Sequence, residues 1–143
     1  MHYTAIVTKE GKQILAEFPG CQGCQTFADP GEDIGERASE ALLGWLEAQL
    51  VSGQAPPEPK TARAKGRTRV LQVPVPAKLA VKLALRWARK RAGLTQAELA
   101  RRAGLSQPAV ARLEDPDHNP TLDMLERVAT ALGVRLEVGL RAA

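Results

Sequence analysis

Long hydrophobic runs are missing from the sequence, and aromatic residues and cysteines are scarce. The longest apolar stretches are only a few residues, which excludes a membrane-spanning helix. No cationic stretch followed by an apolar one opens the chain, so we expect no secretory signal peptide and a cytoplasmic location. Hydrophobic residues make up 44% of the 143 residues, charged residues 25% and aromatic residues 3%, which is the composition of a soluble protein.

The two cysteines, Cys21 and Cys24, form a single Cys-x-x-Cys pair. A structural zinc needs four ligands, and His2 and His118 lie at no recognisable ligand spacing. A redox pair would open a helix after a strand, whereas these cysteines follow a Pro-Gly turn. We therefore expect reduced thiols in a loop, with no metal, no redox role and no cofactor.

The net charge of +4 hides an asymmetry along the chain. Residues 1–60 hold four basic and nine acidic side chains, whereas residues 61–143 hold sixteen basic and seven acidic ones. This shift suggests two modules with different partners. The basic half suits a polyanion and the acidic half suits a cationic protein, although a solvated charged surface would give the same counts.

The N-terminal pattern predicts a small module of two or three strands followed by a helix. Residues 3–8 and 13–18 are rich in strand-forming residues and flank a hairpin turn, and residues 25–28 form a short third candidate. Apolar residues then recur at helical spacing over 34–50. The expected fold class is α+β, with a ββ(β)α domain over residues 1–53.

Residues 54–69 predict a linker between this module and a second domain over residues 70–143. The segment carries almost no apolar side chains and is rich first in proline and then in basic residues. The basic part either follows a phosphate backbone or keeps the linker solvated. Residues 70–76 are expected to be extended, because each proline restrains its predecessor from helix.

The second domain contains the pattern of a helix-turn-helix. Thr95 is placed to cap a short helix, with Glu98 completing a capping box. Gly104 permits the positive φ needed where that helix ends, and Ser106 is placed to cap the next one. Two short helices joined by a glycine-containing turn are typical of proteins that insert a helix into the DNA major groove.

This stretch resembles the phage-repressor (Xre-type) helix-turn-helix family. The matching residues are Thr95-Gln96, Glu98-Leu99-Ala100, Gly104-Leu105-Ser106, Val110 and Leu113-Glu114, followed by a helix over residues 122–133. The resemblance implies that Gln96 holds a phosphate at a helix N-terminus and that Gln107, Ala109 and Arg112 read bases, while Pro108 departs from the usual polar residue. Chemically, Gln107 can pair with adenine, Ala109 can contact a thymine methyl group, and Arg112 can reach guanine or a phosphate. The predicted DNA-binding residues are Thr95, Gln96, Ser106, Gln107, Ala109 and Arg112.

Alternating apolar and polar residues over 134–140 predict a C-terminal strand. A lone strand needs another edge, which residues 70–75 of the same chain or a second copy across a two-fold axis would supply. Operators are usually palindromic because their readers are dimers. We therefore predict a homodimer, or a tetramer made of two such dimers, on palindromic operator DNA. The predicted dimer contacts are Val134, Leu136, Val138 and Leu140.

The order of the modules resembles the HicB antitoxins of bacterial type II toxin–antitoxin systems. The resemblance rests on residues 3–7, Phe18-Pro19-Gly20-Cys21, the helix segment 36–42, Asp115-Pro116-Asp117-His118, Leu122 and the ending 132–136. It implies a partial, inactive ribonuclease H-like N-terminal domain that masks HicA, a small basic mRNA-cleaving toxin. It also implies repression of the protein's own operon by the C-terminal domain. The family often has aspartate where Gly20 stands, and the Cys-x-x-Cys turn is not general in it. The toxin contacts are expected within residues 1–53, although no single residue stands out.

Two other functions fit parts of the sequence. A plain helix-turn-helix regulator would use the N-terminal domain to sense a small ligand, but so small a module encloses little volume. A metal-dependent nuclease would need several carboxylates to converge on two metal ions. The candidates for that are Glu10, Glu17, Asp29, Glu32 and Asp33. Their predicted positions in a turn and at a helix start do not converge, so we expect no enzymatic activity.

Overall fold

The N-terminal part of the chain forms a four-stranded antiparallel sheet in the structure, a computed structural model that describes residues 1–142. The predicted hairpin is confirmed, because Glu10 pairs with Gln13 across a turn in which Gly11 has a φ of 61°. The strands are β1 (His2–Glu10), β2 (Gln13–Glu17), β3 (Gln25–Ala28) and β4 (Thr68–Pro74). Their order in the sheet is β3-β2-β1-β4.

Helix α1 (Ile34–Val51) packs against strands β2, β3 and β4. It begins at Asp33, whose carboxylate accepts hydrogen bonds from the backbone N–H groups of Gly35 at 2.6 Å and Glu36 at 3.3 Å. Its buried residues recur every four positions: Ile34, Ala38, Leu42, Leu46 and Leu50. The predicted module therefore has its own apolar core.

The linker predicted over residues 54–69 is wrong. This segment connects α1 to β4 inside one folded unit, because β4 pairs with β1 from His2 opposite Pro74 onward. The proline-rich start is also anchored, since the Tyr3 hydroxyl donates to the Pro57 carbonyl at 2.7 Å. A segment with few apolar side chains can thus be held by backbone pairing, which composition does not report.

The chain divides into one unit over Met1–Ala80 and a second unit that begins at Val81. The predicted domains, 1–53 and 70–143, placed the boundary differently because residues 70–74 were grouped with the helices that follow them. Their hydrogen bonds instead connect them to β1. The boundary between the two units is therefore set by the pairing of β4 with β1, two strands that lie far apart in the sequence.

The remaining elements are helices around a single core. They are α2 (Ala77–Arg91), α3 (Gln96–Ala103), α4 (Gln107–Glu114) and α5 (Leu122–Ala131). The core consists of Leu85, Leu94, Leu99, Ala100, Ala103, Val110, Leu113, Leu125 and Val128. Helix α3 contributes Leu99, Ala100 and Ala103 to this core, and α4 contributes Val110 and Leu113. No helix in the described part of the chain is both long enough and apolar enough to cross a membrane.

The strand predicted over residues 134–140 is not formed in the described chain. The N–H of Val134 donates to the Ala129 carbonyl at 3.0 Å, which closes the end of α5, and Leu136 packs against the helical core. Pairing with residues 70–75 is therefore wrong, because β4 has its partner in β1 and the C-terminal segment continues from α5 without a ladder. Pairing across a two-fold axis stays a prediction.

Candidate nucleic-acid interface

Helix α3 begins at a complete capping box. The Thr95 hydroxyl accepts the Glu98 N–H at 3.1 Å, and the Glu98 carboxylate accepts the Thr95 N–H at 2.8 Å. The hydrogen bond from the Thr95 backbone lowers the pKa of Glu98, so this carboxylate stays ionised at the positive end of the helix. The predicted cap is confirmed, and a DNA contact by Thr95 stays a prediction.

The turn after α3 is held from two sides. Gly104 adopts a φ of 65°, the left-handed conformation that the sequence predicts for it. Arg127 from α5 then closes the helix end, because its Nε donates to the Ala103 carbonyl at 2.7 Å and its Nη2 to the Gly104 carbonyl at 3.1 Å. This fixes the angle at which the chain leaves α3 for α4.

Helix α4 begins at Ser106, whose hydroxyl accepts the Ala109 N–H at 3.2 Å. Pro108 lies in the first turn, where its missing N–H has no intrahelical partner to lose. Gln107 and Arg112 are exposed and Ala109 is half-buried. The predicted reading face is therefore accessible, and its small central residue leaves room for a base edge.

Two of the predicted DNA-binding residues meet at the start of the helices. Gln107 donates from Nε2 to Oε1 of Gln96 at 2.9 Å, so the first residues of α3 and α4 are joined. Gln96 in turn donates from Nε2 to Oε2 of Glu114 at 3.2 Å. Thr95 and Ser106 act instead through their own helix caps, and Arg112 lies one to two turns along α4.

Glu114 ends α4 as a buried carboxylate between two arginines of α2. It is 2% exposed, and Arg89 holds both of its oxygens, Oε1 at 2.6 Å and Oε2 at 2.9 Å. Arg89 also donates to the Leu94 carbonyl at 2.8 Å, and Arg86 forms a second ion pair with Glu114. Burial raises the pKa of Glu114, but the hydrogen bond from Arg89 and the charges of both arginines outweigh it and hold that pKa below 4.5.

Sequence reasoning missed this cluster. A signal for it exists, because Arg86 and Arg89 are spaced one turn apart on the apolar stripe of α2 together with Leu79 and Leu83. A charged residue on such a stripe requires a buried partner of opposite sign. Glu114 is that partner, 25 residues after Arg89 in the chain.

The unit from Val81 onward carries eleven Lys and Arg residues against seven Asp and Glu residues. Arg101 and Arg102 at the end of α3 and Arg112 on α4 are exposed. Exposed guanidinium groups on both helices suit contact with the phosphates on either side of a groove.

The predicted dimer residues lie beyond α5. Val134 is 50% exposed, Val138 72% and Leu140 fully exposed, whereas Leu136 packs against the helical core. Three of the four apolar side chains thus face solvent within one short segment. Exposed apolar groups that cluster in this way are typical of protein–protein contact sites.

Both cysteines lie in the loop between β2 and β3 and are buried in the N-terminal unit. Cys21 and Cys24 are 3% and 4% exposed and carry free thiols. Burial raises the pKa of Cys21, and burial together with the neighbouring Cys21 raises that of Cys24 to about 12. Neutral, enclosed thiols pack as small apolar groups. Among residues 1–142, no group of three or more His, Cys, Asp or Glu side chains is arranged to hold a metal ion.

Comparison with known proteins gives one match to the C-terminal helices and one that runs through nearly the whole chain. A helix-turn-helix family model matches residues 85–138. The chain is 30% identical over 132 residues to Antitoxin HicB 1 of Photorhabdus laumondii, which covers 92% of this chain and 81% of the relative.

Two further sequence matches each cover about a third of the chain, and a match to a solved structure covers about half of it. The immunity repressor protein of Bacillus phage phi105 is 46% identical over 48 residues, 34% of this chain and 33% of the phage protein. An uncharacterised HTH-type transcriptional regulator of Methanothermobacter thermautotrophicus is 44% identical over 45 residues, 32% of this chain and 65% of that protein. A chain of a solved HicA3 and HicB3 toxin-antitoxin complex superimposes with a TM-score of 0.46 and 25% identity, over 53% of this chain and 99% of that one.

Proposed function

The chain belongs to the HicB antitoxin family, and we propose that it neutralises a HicA-type mRNA-cleaving toxin through its N-terminal unit and represses its own operon through its helix-turn-helix unit. The observation that carries the proposal is the match to Antitoxin HicB 1, because it runs through both units rather than through the helix-turn-helix alone.

Operator binding is supported by the helix-turn-helix itself. The first residues of α3 and α4 are joined through Gln96 and Gln107, while Arg112 is exposed on the second helix. In this arrangement α4 enters the major groove, Gln107, Ala109 and Arg112 face the bases, and Gln96 with the capped helix ends of Thr95 and Ser106 faces the phosphates.

Dimerisation is proposed through the segment 134–140. Its exposed apolar residues, Val134, Val138 and Leu140, alternate with polar ones, and the same segment of a second copy would supply the missing strand edge. A two-fold axis at this position would present two copies of α4 to a palindromic operator.

The protein acts in this proposal as a binding protein without catalysis or cofactor, in the cytoplasm where operon and toxin meet. Three of the five carboxylates considered for metal catalysis have other partners: Asp33 caps α1, Asp29 accepts from the Gln13 amide at 2.6 Å, and Glu32 accepts from the Asp29 backbone N–H at 2.8 Å.

The proposal is tested by co-expressing the chain with the short, basic protein that a neighbouring reading frame encodes. The chain should restore the growth that this product arrests, the two should co-purify, and the purified chain should shift a duplex from its own promoter region. If the chain shifts the duplex but neither restores growth nor retains the product, the plain regulator with a ligand-sensing N-terminal unit is the better description.

A further inference from the structure

A chain of hydrogen bonds runs from the core of the helical unit to its predicted reading face. Glu114 is its buried inner end, Gln96 is its half-buried middle, and Gln107 is its exposed outer end. Both hydrogen bonds are donated in the same direction, from the exposed end toward the buried end: Gln107 donates to Gln96, and Gln96 donates to Glu114.

The direction follows from the chemistry of Glu114. An ionised carboxylate only accepts hydrogen bonds, so Gln96 has to turn its Nε2 toward it. This leaves Oε1 of Gln96 facing Gln107, and an amide oxygen only accepts as well. Gln107 therefore has to donate from its own Nε2.

The inner end cannot change its orientation. Both carboxylate oxygens of Glu114 are held by Arg89, and Arg86 adds a second positive charge in the same buried site. Two positive charges keep the carboxylate ionised, and a buried group with both oxygens engaged does not rotate without breaking charge-assisted bonds.

We propose that Glu114 fixes the orientation of the Gln107 amide and thereby makes it select adenine over guanine. With Nε2 engaged by Gln96, Gln107 presents its Oε1 and its remaining N–H outward. The Oε1 atom can accept a hydrogen bond from the N6 amino group of adenine, and the N–H can donate one to adenine N7. The reversed amide would present two N–H groups, which match the O6 and N7 acceptors of guanine. The inference rests on the proposed function, since it requires α4 to enter the major groove.

Selection from a random duplex library with the wild-type chain identifies the preferred site, and Gln107→Ala identifies the base pair that Gln107 reads. Affinities for the adenine and guanine versions of that pair are then measured by fluorescence anisotropy. In Glu114→Gln, the buried amide can donate as well as accept, so discrimination between the two versions should fall about tenfold. Adding Gln107→Ala to this variant should cause no further loss of discrimination between the adenine and guanine versions.

Glu126→Gln is the matched control, because it removes one negative charge from an exposed position on α5. It should leave the discrimination unchanged. Gln96→Ala cuts the hydrogen-bond chain without touching the buried ion pairs, and it should lower the discrimination in the same way. If Glu114→Gln does not fold, the discrimination measured for Gln96→Ala tests the proposal on its own.

Full discrimination in both variants, or an equal loss of affinity for the adenine and guanine versions, would overturn the role of Glu114 while leaving DNA binding intact. If the wild-type chain selects no duplex at all, the proposed DNA-binding function fails instead. The two failures are therefore distinguishable in one experiment.

Discussion

At the scale of single residues, Gly104 and Arg127 together hold the turn between α3 and α4. A Cβ atom on Gly104 would lie 3.0 Å from Nη2 of Arg127, and the residue has a φ of 65°. The substitution therefore disturbs both the backbone conformation and the guanidinium group that closes α3.

We expect Gly104→Ala to lower the free energy of unfolding by about 1–2 kcal/mol, since it adds a steric contact to the left-handed strain. Gly133→Ala is the control, because Gly133 has a φ of 70° and nothing within 4 Å of the new Cβ. Urea unfolding should show the smaller loss for Gly133→Ala. Equal losses of unfolding free energy in the two variants would mean that the contact with Arg127 adds nothing to the cost of Gly104→Ala.

Glu114 makes the helical unit sensitive to acid. Its folded-state pKa lies below 4.5, so the stability it contributes is fully present above that value and is lost as the pH falls through the lower, folded-state pKa. Glu114→Gln should cost about 3 kcal/mol at neutral pH, because two buried arginines lose their counter-charge.

The difference in unfolding free energy between wild type and Glu114→Gln should narrow as the pH drops below 4.5. Urea titrations followed by the fluorescence of buried Trp87, in a Trp45→Phe background, report on the helical unit. A difference that stays constant from neutral to acidic pH would contradict the assignment of an ionised Glu114.

The residues that the sequence predicts correctly are those whose role is local. Thr95, Gly104 and Ser106 act within four positions of their own partners, and such short-range chemistry is visible in the order of residue types. Arg89 and Glu114 are 25 positions apart, and nothing in the local pattern joins them. Arg127 was missed for the same reason.

At the scale of elements, the pairing of β1 with β2 was predicted from the hairpin turn, whereas the pairing of β4 with β1 was not. Residues 70–75 and residues 134–140 were both predicted to be extended, and neither pattern says which edge the segment joins. The structure joins β4 to β1 and leaves the similar segment 134–140 without a strand. The residue pattern therefore predicts extended chain, whereas the availability of an edge decides whether it becomes a strand.

We expect Val138→Lys together with Leu140→Lys to convert a dimer into a monomer, because charges in the apolar segment 134–140 would face each other across the two-fold axis. Sedimentation at micromolar protein concentration measures the state. Leu122→Lys is the control, since Leu122 is 60% exposed on α5 outside this segment.

A wild-type chain that sediments as a monomer, or a double variant that stays dimeric, would place the dimer contact elsewhere. In the expected case, operator affinity should fall as well, because each half-site is then bound independently.

At the scale of the whole molecule, the structure redistributes the charge that the sequence divides into two halves. Basic residues between positions 60 and 69 belong to the N-terminal unit: Lys60, Arg63, Lys65, Arg67 and Arg69. Residues 1–80 therefore hold nine basic and nine acidic side chains, and the strongly acidic half is not a unit of the fold. In the proposed complex, charge complementarity with a cationic toxin would come from local surfaces such as the exposed face of α1, which carries Glu36, Glu40 and Glu47.

The two activities should separate by mutation. Gln107→Ala and Arg112→Ala should each weaken operator binding by about 1–3 kcal/mol if these residues read bases, and toxin capture should be unchanged. Anisotropy measures the first and a pull-down the second, with Arg141→Ala as an exposed-arginine control. Toxin capture that falls in parallel with operator binding would contradict the division of labour between the two units.

The pairing of β4 with β1 also has a consequence for how the protein is made. Thr8 lies opposite Thr68, so the ribosome has to release β2, β3, α1 and the basic connection before the first strand gains its second neighbour. Until then the hairpin of β1 and β2 carries an open edge, and the non-local contact that covers it forms slowly compared with local helices. A nascent chain that stops before residue 68 therefore cannot complete the N-terminal sheet, and translation must reach the end of β4 at Pro74 before every strand of that sheet has its neighbours.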